Sequence, residues 1–126
     1  MNNMTEIFGE VISGYTRQQA IDDGVLIAFP DAICKEAGIK YPIAVTAAVW
    51  QIIDEAVKKG GKDEEGVIWD ILTMFKVFAK RSSASVMMFE VRIWSKYTGR
   101  DRVMKFKSVI GPGDTAEPVI TIMLPN

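Results

Sequence analysis

The spacing of apolar residues changes along the chain, and this change predicts two structural halves. Between Ala47 and about Lys80, apolar residues recur three or four positions apart, as they do on the buried face of a helix. From Met87 onward, they alternate with polar residues, as they do in a strand with one covered face. The chain therefore reads as helices followed by strands.

Two long helices are predicted from this periodicity and from their end signals. Thr46 is placed to cap the first helix, which covers Ala47 to about Lys59. The second covers Gly66 to about Lys80 and follows an acidic segment, which favours a helix start. Because only residues 60–64 separate them, we expect the two helices to form an antiparallel pair.

The amino-terminal third predicts shorter elements. Thr16, with Gln19 three residues later, forms the pattern of a capping box, and Gly24 is a stop signal for this helix. A second short helix is predicted over Asp31–Ala37. Brief apolar or extended segments precede and follow these helices, and we interpret them as short strands or connections: Ile7–Ser13, Val25–Phe29 and Ile39–Val45.

The carboxyl-terminal third predicts an antiparallel meander. Met87–Trp94 alternates with Phe89 and Val91 inward, and Val103–Ile110 is its partner across a Gly99-containing loop. Glu117–Pro125 is apolar on both faces, which is typical of a strand covered on both sides. The predicted class is α+β, a single domain of residues 1–126: two long antiparallel helices plus short amino-terminal helices packed on one face of this meander.

Composition excludes several kinds of chemistry. The chain has no histidine, so the commonest general base and the commonest transition-metal ligand are both missing. The single cysteine, Cys34, excludes an intrachain disulfide and is expected to be buried in a helix. Without an apolar run of membrane-spanning length or a basic amino-terminal signal, we expect a cytoplasmic protein with no membrane partner. We predict no catalytic residue, no cofactor and no metal site.

Charge is distributed unevenly although the net charge is only −1. Residues 80–107 carry a net charge of +6, and the rest of the chain carries −7. The strand alternation places cations and one tryptophan on the face opposite Phe89 and Val91: Arg92, Trp94, Lys105 and Lys107. Such a face can bind nucleic acid or steer an acidic protein, and the alternative is a solvated face whose lysines protect a sheet edge.

Two further polar sets allow alternative interpretations. The turn Gly111-Pro112-Gly113-Asp114 has glycines whose amides can hold an anion, or it is a structural turn between strands; it lacks the pattern of a P-loop. Arg17 with Asp22 and Asp23 can form a polar site, or the two aspartates simply belong to the last turn and stop signal of the short helix. The four aromatic residues at helical spacing are expected in the core: Trp50, Trp69, Phe75 and Phe78.

Several stretches together resemble a family of small uncharacterised proteins encoded by bacteria, their phages and plasmids. These stretches are Glu10–Ala20 with Asp23–Leu26, Tyr41–Trp50, Trp69–Leu72, and Gly111–Asp114 with Glu117–Pro125. The segment 92–107 is outside this resemblance. The resemblance implies a protein of a mobile element and brings no activity or functional residue with it.

The predicted function is therefore a non-enzymatic small binding protein of phage or plasmid type. It would recognise a host or phage macromolecule, an acidic protein or nucleic acid, through the basic hairpin face. The alternatives are a nucleic-acid-binding module using the same face, and an enzyme or binder of a small anionic ligand using Arg17, Asp23 or the turn at residues 111–114. A homo-oligomer is a further possibility, because Met87, Met88 and Val103 can leave an apolar outer patch.

Overall fold

The computed structural model describes residues 15–125, and the predicted segment Ile7–Ser13 lies outside them. The described residues form four helices and five strands. In chain order, these are α1 (Arg17–Asp22), β1 (Leu26–Ala28), α2 (Asp31–Glu36), β2 (Ile43–Thr46), α3 (Ala47–Lys58), α4 (Glu64–Ala79), β3 (Val86–Ser95), β4 (Arg100–Pro112) and β5 (Pro118–Met123). The predicted α+β class is confirmed.

One mixed sheet contains all five strands, in the order β1-β2-β5-β4-β3. The last three strands form the predicted antiparallel meander, in which β4 pairs with both β3 and β5. The sheet is larger than this meander, because β2 pairs with β5 in parallel and β1 pairs with β2 antiparallel. The short apolar segments of the amino-terminal half therefore extend the sheet formed by the carboxyl-terminal half.

Strand β5 occupies the middle of the sheet, as its apolar composition predicts. Ile120 and Ile122 are buried on one face, and Thr121 points to the other. Having strands on both sides satisfies the backbone groups of β5 on both edges. Its flanking proline, Pro118, stands at the first residue of the strand, where a missing amide hydrogen is tolerated.

The main core lies between the sheet and helices α2, α3 and α4. Phe89 and Phe106, a cross-strand pair, are fully buried. Their rings pack edge to face, with 5.9 Å between the ring centroids. The ring of Phe75 from α4 meets Phe89 at 5.8 Å in the same manner. Cys34 is buried in α2, as predicted, and burial raises the pKa of its thiol.

Helix α1 lies on the opposite face of the sheet from α3 and α4. Ala20 of α1 forms a second, small apolar cluster with Leu26 and Ala44. The neighbours of Ala44 in β2, Ile43 and Val45, belong to the main core, and successive strand residues point to opposite faces. This arrangement corrects the prediction that all helices pack on one face.

The two long helices contain 12 and 16 residues and contact one another. Thr46 caps α3 as predicted, since its hydroxyl accepts a hydrogen bond from the amide of Val49. Helix α4 begins at Glu64, two residues before the predicted start, because the carboxylate of Asp63 accepts from the amide of Gly66 and caps the helix there.

Candidate binding surface

The β3–β4 hairpin carries the four predicted contact residues on one face, which we call the outer hairpin face. It consists of the residues that alternate with the buried Phe89 and Val91 in β3 and with Phe106 in β4. The cross-strand pairs on this face are Met88–Lys107, Glu90–Lys105, Arg92–Val103 and Trp94–Asp101. The register therefore places the backbone positions of these residues on a common face, as the alternation predicted.

Three cations lie on the outer hairpin face without a close carboxylate. Arg92 and Lys105 are exposed, and Lys107 is half-buried. Within residues 15–125, no carboxylate oxygen comes within 4.0 Å of their side-chain nitrogens. Glu90 stands opposite Lys105 in the strand register and is the acidic neighbour that partly offsets this charge.

Three other cations of the basic segment, Lys96, Arg100 and Arg102, point elsewhere. Lys96 lies 2.9 Å from Glu55 of α3, and a hydrogen bond and the charge of Glu55 raise the pKa of the Lys96 ammonium. Arg100 and Arg102 stand opposite Ser95 and Ile93 and so belong to the other face of the hairpin. In the strands of the hairpin, the cations of the outer hairpin face are therefore Arg92, Lys105 and Lys107.

Trp94 is half-buried, whereas the alternation predicted an exposed aromatic. Its indole lies against the backbone of Gly60: a Cβ atom added to Gly60 would lie only 2.6 Å from Trp94 Cδ2. The ring also packs against the edge of the main core. Because one side of the ring is covered, Trp94 offers a smaller stacking surface than the sequence suggested.

A groove of about 500 Å³ runs between α4 and the hairpin. Met74 and Phe78 contribute apolar surface from α4, and Val103 contributes it from β4. Arg92 lines the same groove together with acidic residues, of which Asp70 is on the α4 side. Partial burial, and secondarily the charge of Asp101, raise the pKa of the Asp70 carboxyl.

Helix α4 also exposes a row of side chains that was not predicted. Trp69 is 42% exposed and Val77 is 37% exposed, with Thr73 between them at helical spacing. This corrects the assignment of Trp69 to the core. Of the other three aromatics in that set, Phe75 is buried, and Trp50 and Phe78 are half-buried against the core.

The turn at residues 111–114 has a structural role in the fold. The carboxylate of Asp114 accepts hydrogen bonds from the amides of Arg17 and Gln18, at 2.8 and 3.0 Å, and so caps α1. The amide of Gly113 donates to the carbonyl of Glu117 and is not free to hold an anion. The turn therefore supplies an anion to the start of α1.

Arg17 ties α1 to the middle of the sheet. Its guanidinium donates to the hydroxyl of Thr121 at 2.8 Å and to the carbonyl of Ile120 at 2.9 Å. Burial lowers the pKa of this guanidinium, although the charge of Asp114 opposes the shift. Nearby, the hydroxyl of Tyr15 donates to the carboxylate of Asp23 at 2.9 Å. These polar residues thus hold α1 in place.

The described residues lack the features of a metal site and of a membrane-spanning helix. Residues 15–125 contain no group of three or more potential ligands placed to hold a metal ion. In the same part of the chain, no helix combines the length and apolar character needed to cross a membrane.

In a comparison with known protein families, the chain matches the family described as "Family of unknown function (DUF6573)" over residues 1–126. The chain belongs to this family. The match includes the hairpin segment 92–107, which lay outside the resemblance described above. No curated protein and no solved structure matches the chain.

Because the description of DUF6573 names no activity, the surface of this member is the basis for its proposed function.

The sequence did contain a signal for the exposed row on α4. Trp69 and Val77 are four residues before and after Thr73, and the polar Asp70 adjoins Trp69. A helix row with polar residues inside it and beside it is typical of a solvent-facing surface.

Proposed function

We propose that this protein is a non-enzymatic binding protein that recognises a macromolecular partner through the outer hairpin face. Arg92, Trp94, Lys105 and Lys107 are the contact residues. The proposal depends on one observation: three cations that have no carboxylate within 4.0 Å among residues 15–125 share a strand face with exposed apolar side chains. Those side chains are Met88, 42% exposed, and Val103, 52% exposed.

An acidic protein is the partner class that this surface fits best. Positive charge attracts an anionic surface and raises the rate of encounter, and exposed Met and Val add apolar area that a protein can cover. Recognition of single-stranded nucleic acid uses aromatic rings on which bases stack. The only aromatic residue in the strand part of this face is Trp94, and its ring is partly buried against Gly60 and the core.

The proposed setting is a mobile genetic element of bacteria, such as a phage or plasmid, with the protein acting in the cytoplasm of the host. This part of the proposal comes from the resemblance in the sequence. The partner would then be a macromolecule of the host or of the element itself.

A site for a small anionic ligand has less support. The donors that the sequence offered for it are engaged within the fold: the Arg17 guanidinium bonds to β5, and the Gly113 amide bonds to Glu117. The carboxylate of Asp114 occupies the amides at the start of α1.

The proposal is tested by reversing charge on the outer hairpin face. The double variant Lys105→Glu/Lys107→Glu should lose captured partner from bacterial lysate, with at least about tenfold weaker binding. The matched control Lys35→Glu/Lys40→Glu makes the same charge change in the α2 region and should keep the partner. Circular dichroism of both variants checks that the fold is retained.

Nuclease treatment and salt separate the two partner classes. An acidic protein partner should survive nuclease treatment of the lysate and lose affinity moderately as salt rises. Loss of capture after nuclease, with a steep salt dependence, would assign the face to nucleic acid instead. If both double variants capture the same proteins equally well, the outer hairpin face is not the binding site.

A further inference from the structure

Strand β3 forms one edge of the sheet and is long enough to pair with another strand. It contains ten residues, Val86–Ser95, and its only partner strand among residues 15–125 is β4. The backbone groups on its other edge therefore have no strand partner in the described part of the chain. Natural proteins usually shorten, cover or charge such an edge, since it can pair with another chain.

The charges of β3 are arranged in a self-complementary way. Glu90 and Arg92 are both exposed on the outer hairpin face, two residues apart, with Val91 between them. From this arrangement, we infer that β3 pairs antiparallel with β3 of a second copy of this chain, centred on Val91. The resulting symmetric dimer would have one continuous ten-stranded sheet.

The register follows from the two faces of the strand and from the two charges. Antiparallel pairing keeps the buried and outer faces continuous only if each residue meets a residue of the same face. Centring on Glu90 or on Arg92 satisfies this condition but places two like charges directly opposite each other. Centring on Val91 places Glu90 of each copy opposite Arg92 of the other, which forms two favourable pairs.

Apolar surface beside the β3 edge also favours pairing with a second copy of this chain. The groove between α4 and the hairpin lies along residues 90–92 of β3, and its α4 wall includes the half-buried Met74 and Phe78. A second copy pairing along β3 brings its own α4 to the same side of the sheet. Each copy would then cover apolar side chains of the other, as a symmetric interface requires.

This inference does not depend on the anionic partner proposed above. It does affect that surface, because Arg92 would be neutralised by Glu90 of the second copy. Lys105 and Lys107 of both copies would remain on one continuous face of the sheet. Dimerisation and partner capture are therefore measured separately, with different residues changed, so failure of one leaves the other open to its own test.

Paired charge variants test the dimer and its register together. Sedimentation equilibrium of the unaltered chain should show a concentration-dependent shift from the 14.0 kDa monomer to twice that mass. Glu90→Arg and Arg92→Glu should each weaken self-association by roughly tenfold or more, because like charges then meet at both pairs. Mixing the two variants in equal amounts should restore the dimer, since each copy then meets opposite charges. Lys40→Glu, distant from β3, is the control and should not change self-association.

Hydrogen exchange gives a second readout at the strand itself. Alternate amides of Val86–Ser95 should gain protection as protein concentration rises through the dimer range, whereas non-specific association would not select them. A monomer at millimolar concentration would overturn the inference. So would a dimer that both single variants leave intact, because its interface would then lie elsewhere, or a mixture of the two variants that remains monomeric.

Discussion

The outer face of the sheet has a closed half and an open half. Over β1, β2 and β5, helix α1 covers the strands through the small cluster around Ala20 and Ala44. The guanidinium of Arg17 is inserted there and bonds to β5. Over β3 and β4, the described residues place no helix, and Met88 and Val103 are 42% and 52% exposed.

The contrast shows how similar residue types differ in role between the two halves. Arg17 in the closed half has its donors satisfied by a hydroxyl and a carbonyl, and it is part of the fold. Arg92 in the open half has no carboxylate within salt-bridge distance in the described part of the chain. A surface whose cations have no carboxylate within salt-bridge distance among the described residues can engage another molecule, and both proposals concern this half.

The largest expected difference lies between the two faces of the open half itself. Phe106→Ala should lower the free energy of unfolding by about 3–5 kcal/mol, because the ring is fully buried between Phe89 and the helices. Lys105→Ala, the adjacent residue on the outer face, should change it by less than about 0.5 kcal/mol. Urea denaturation measures both, and Phe106→Leu provides a milder variant if Phe106→Ala does not fold. Equal effects at the two positions would contradict the face assignment.

Two arginine variants compare the halves directly. Arg17→Leu should cost roughly 1.5–3 kcal/mol of stability, because it removes charge-assisted hydrogen bonds to Thr121 and Ile120. Arg92→Leu makes the same change in the open half and should cost less than about 0.5 kcal/mol. Hydrogen exchange should also show faster opening of α1 in Arg17→Leu, with the hairpin unchanged. A stability loss of similar size in both variants would remove the distinction between the halves.

The smallest effect concerns Asp70 at the groove beside the open half. Because the folded-state pKa of Asp70 is raised, its charged form destabilises the folded protein at neutral pH. As pH falls, the folded protein binds this proton before the unfolded chain does, because the ordinary aspartate pKa of 3.8 applies to the unfolded chain. The cost is therefore lost once the pH is below both pKa values. Asp70→Asn should therefore raise the free energy of unfolding by less than about 0.5 kcal/mol at pH 7, a small gain because the group is largely exposed. At pH 3 it should give no gain.

Thermal unfolding across this pH range measures the effect of Asp70→Asn. Glu117→Gln, which removes an exposed carboxylate from the β4–β5 connection, is the control and should not show the same pH profile. A stabilisation by Asp70→Asn that persists unchanged at low pH would show that the raised pKa is not its cause.

Local sequence signals located most of the elements. Thr16 with Gln19 formed the predicted capping box of α1, and the alternation in β3 placed Arg92 and Lys105 on a common face. The apolar character of residues 119–124 indicated a central strand, and β5 is the third of five. Such signals work because caps and periodicity depend on neighbours within a few residues along the chain.

The coverage of each face was decided by contacts between distant parts of the chain. Trp69 was assigned to the core and is exposed, whereas Trp94 was assigned to the surface and is half-buried against Gly60. Periodicity indicates which residues share a face, but that face is buried only if another element packs against it.

The sequence by itself determined the class of the protein, the caps of its helices and the residues that share the outer hairpin face. Only the tertiary structure decided that β2 lies beside β5 in parallel, that α1 crosses to the other side of the sheet, and that Asp114 caps it from 96 and 97 residues away. These features join segments far apart in sequence. Their free energy depends on shape and hydrogen-bond partners that no local pattern encodes.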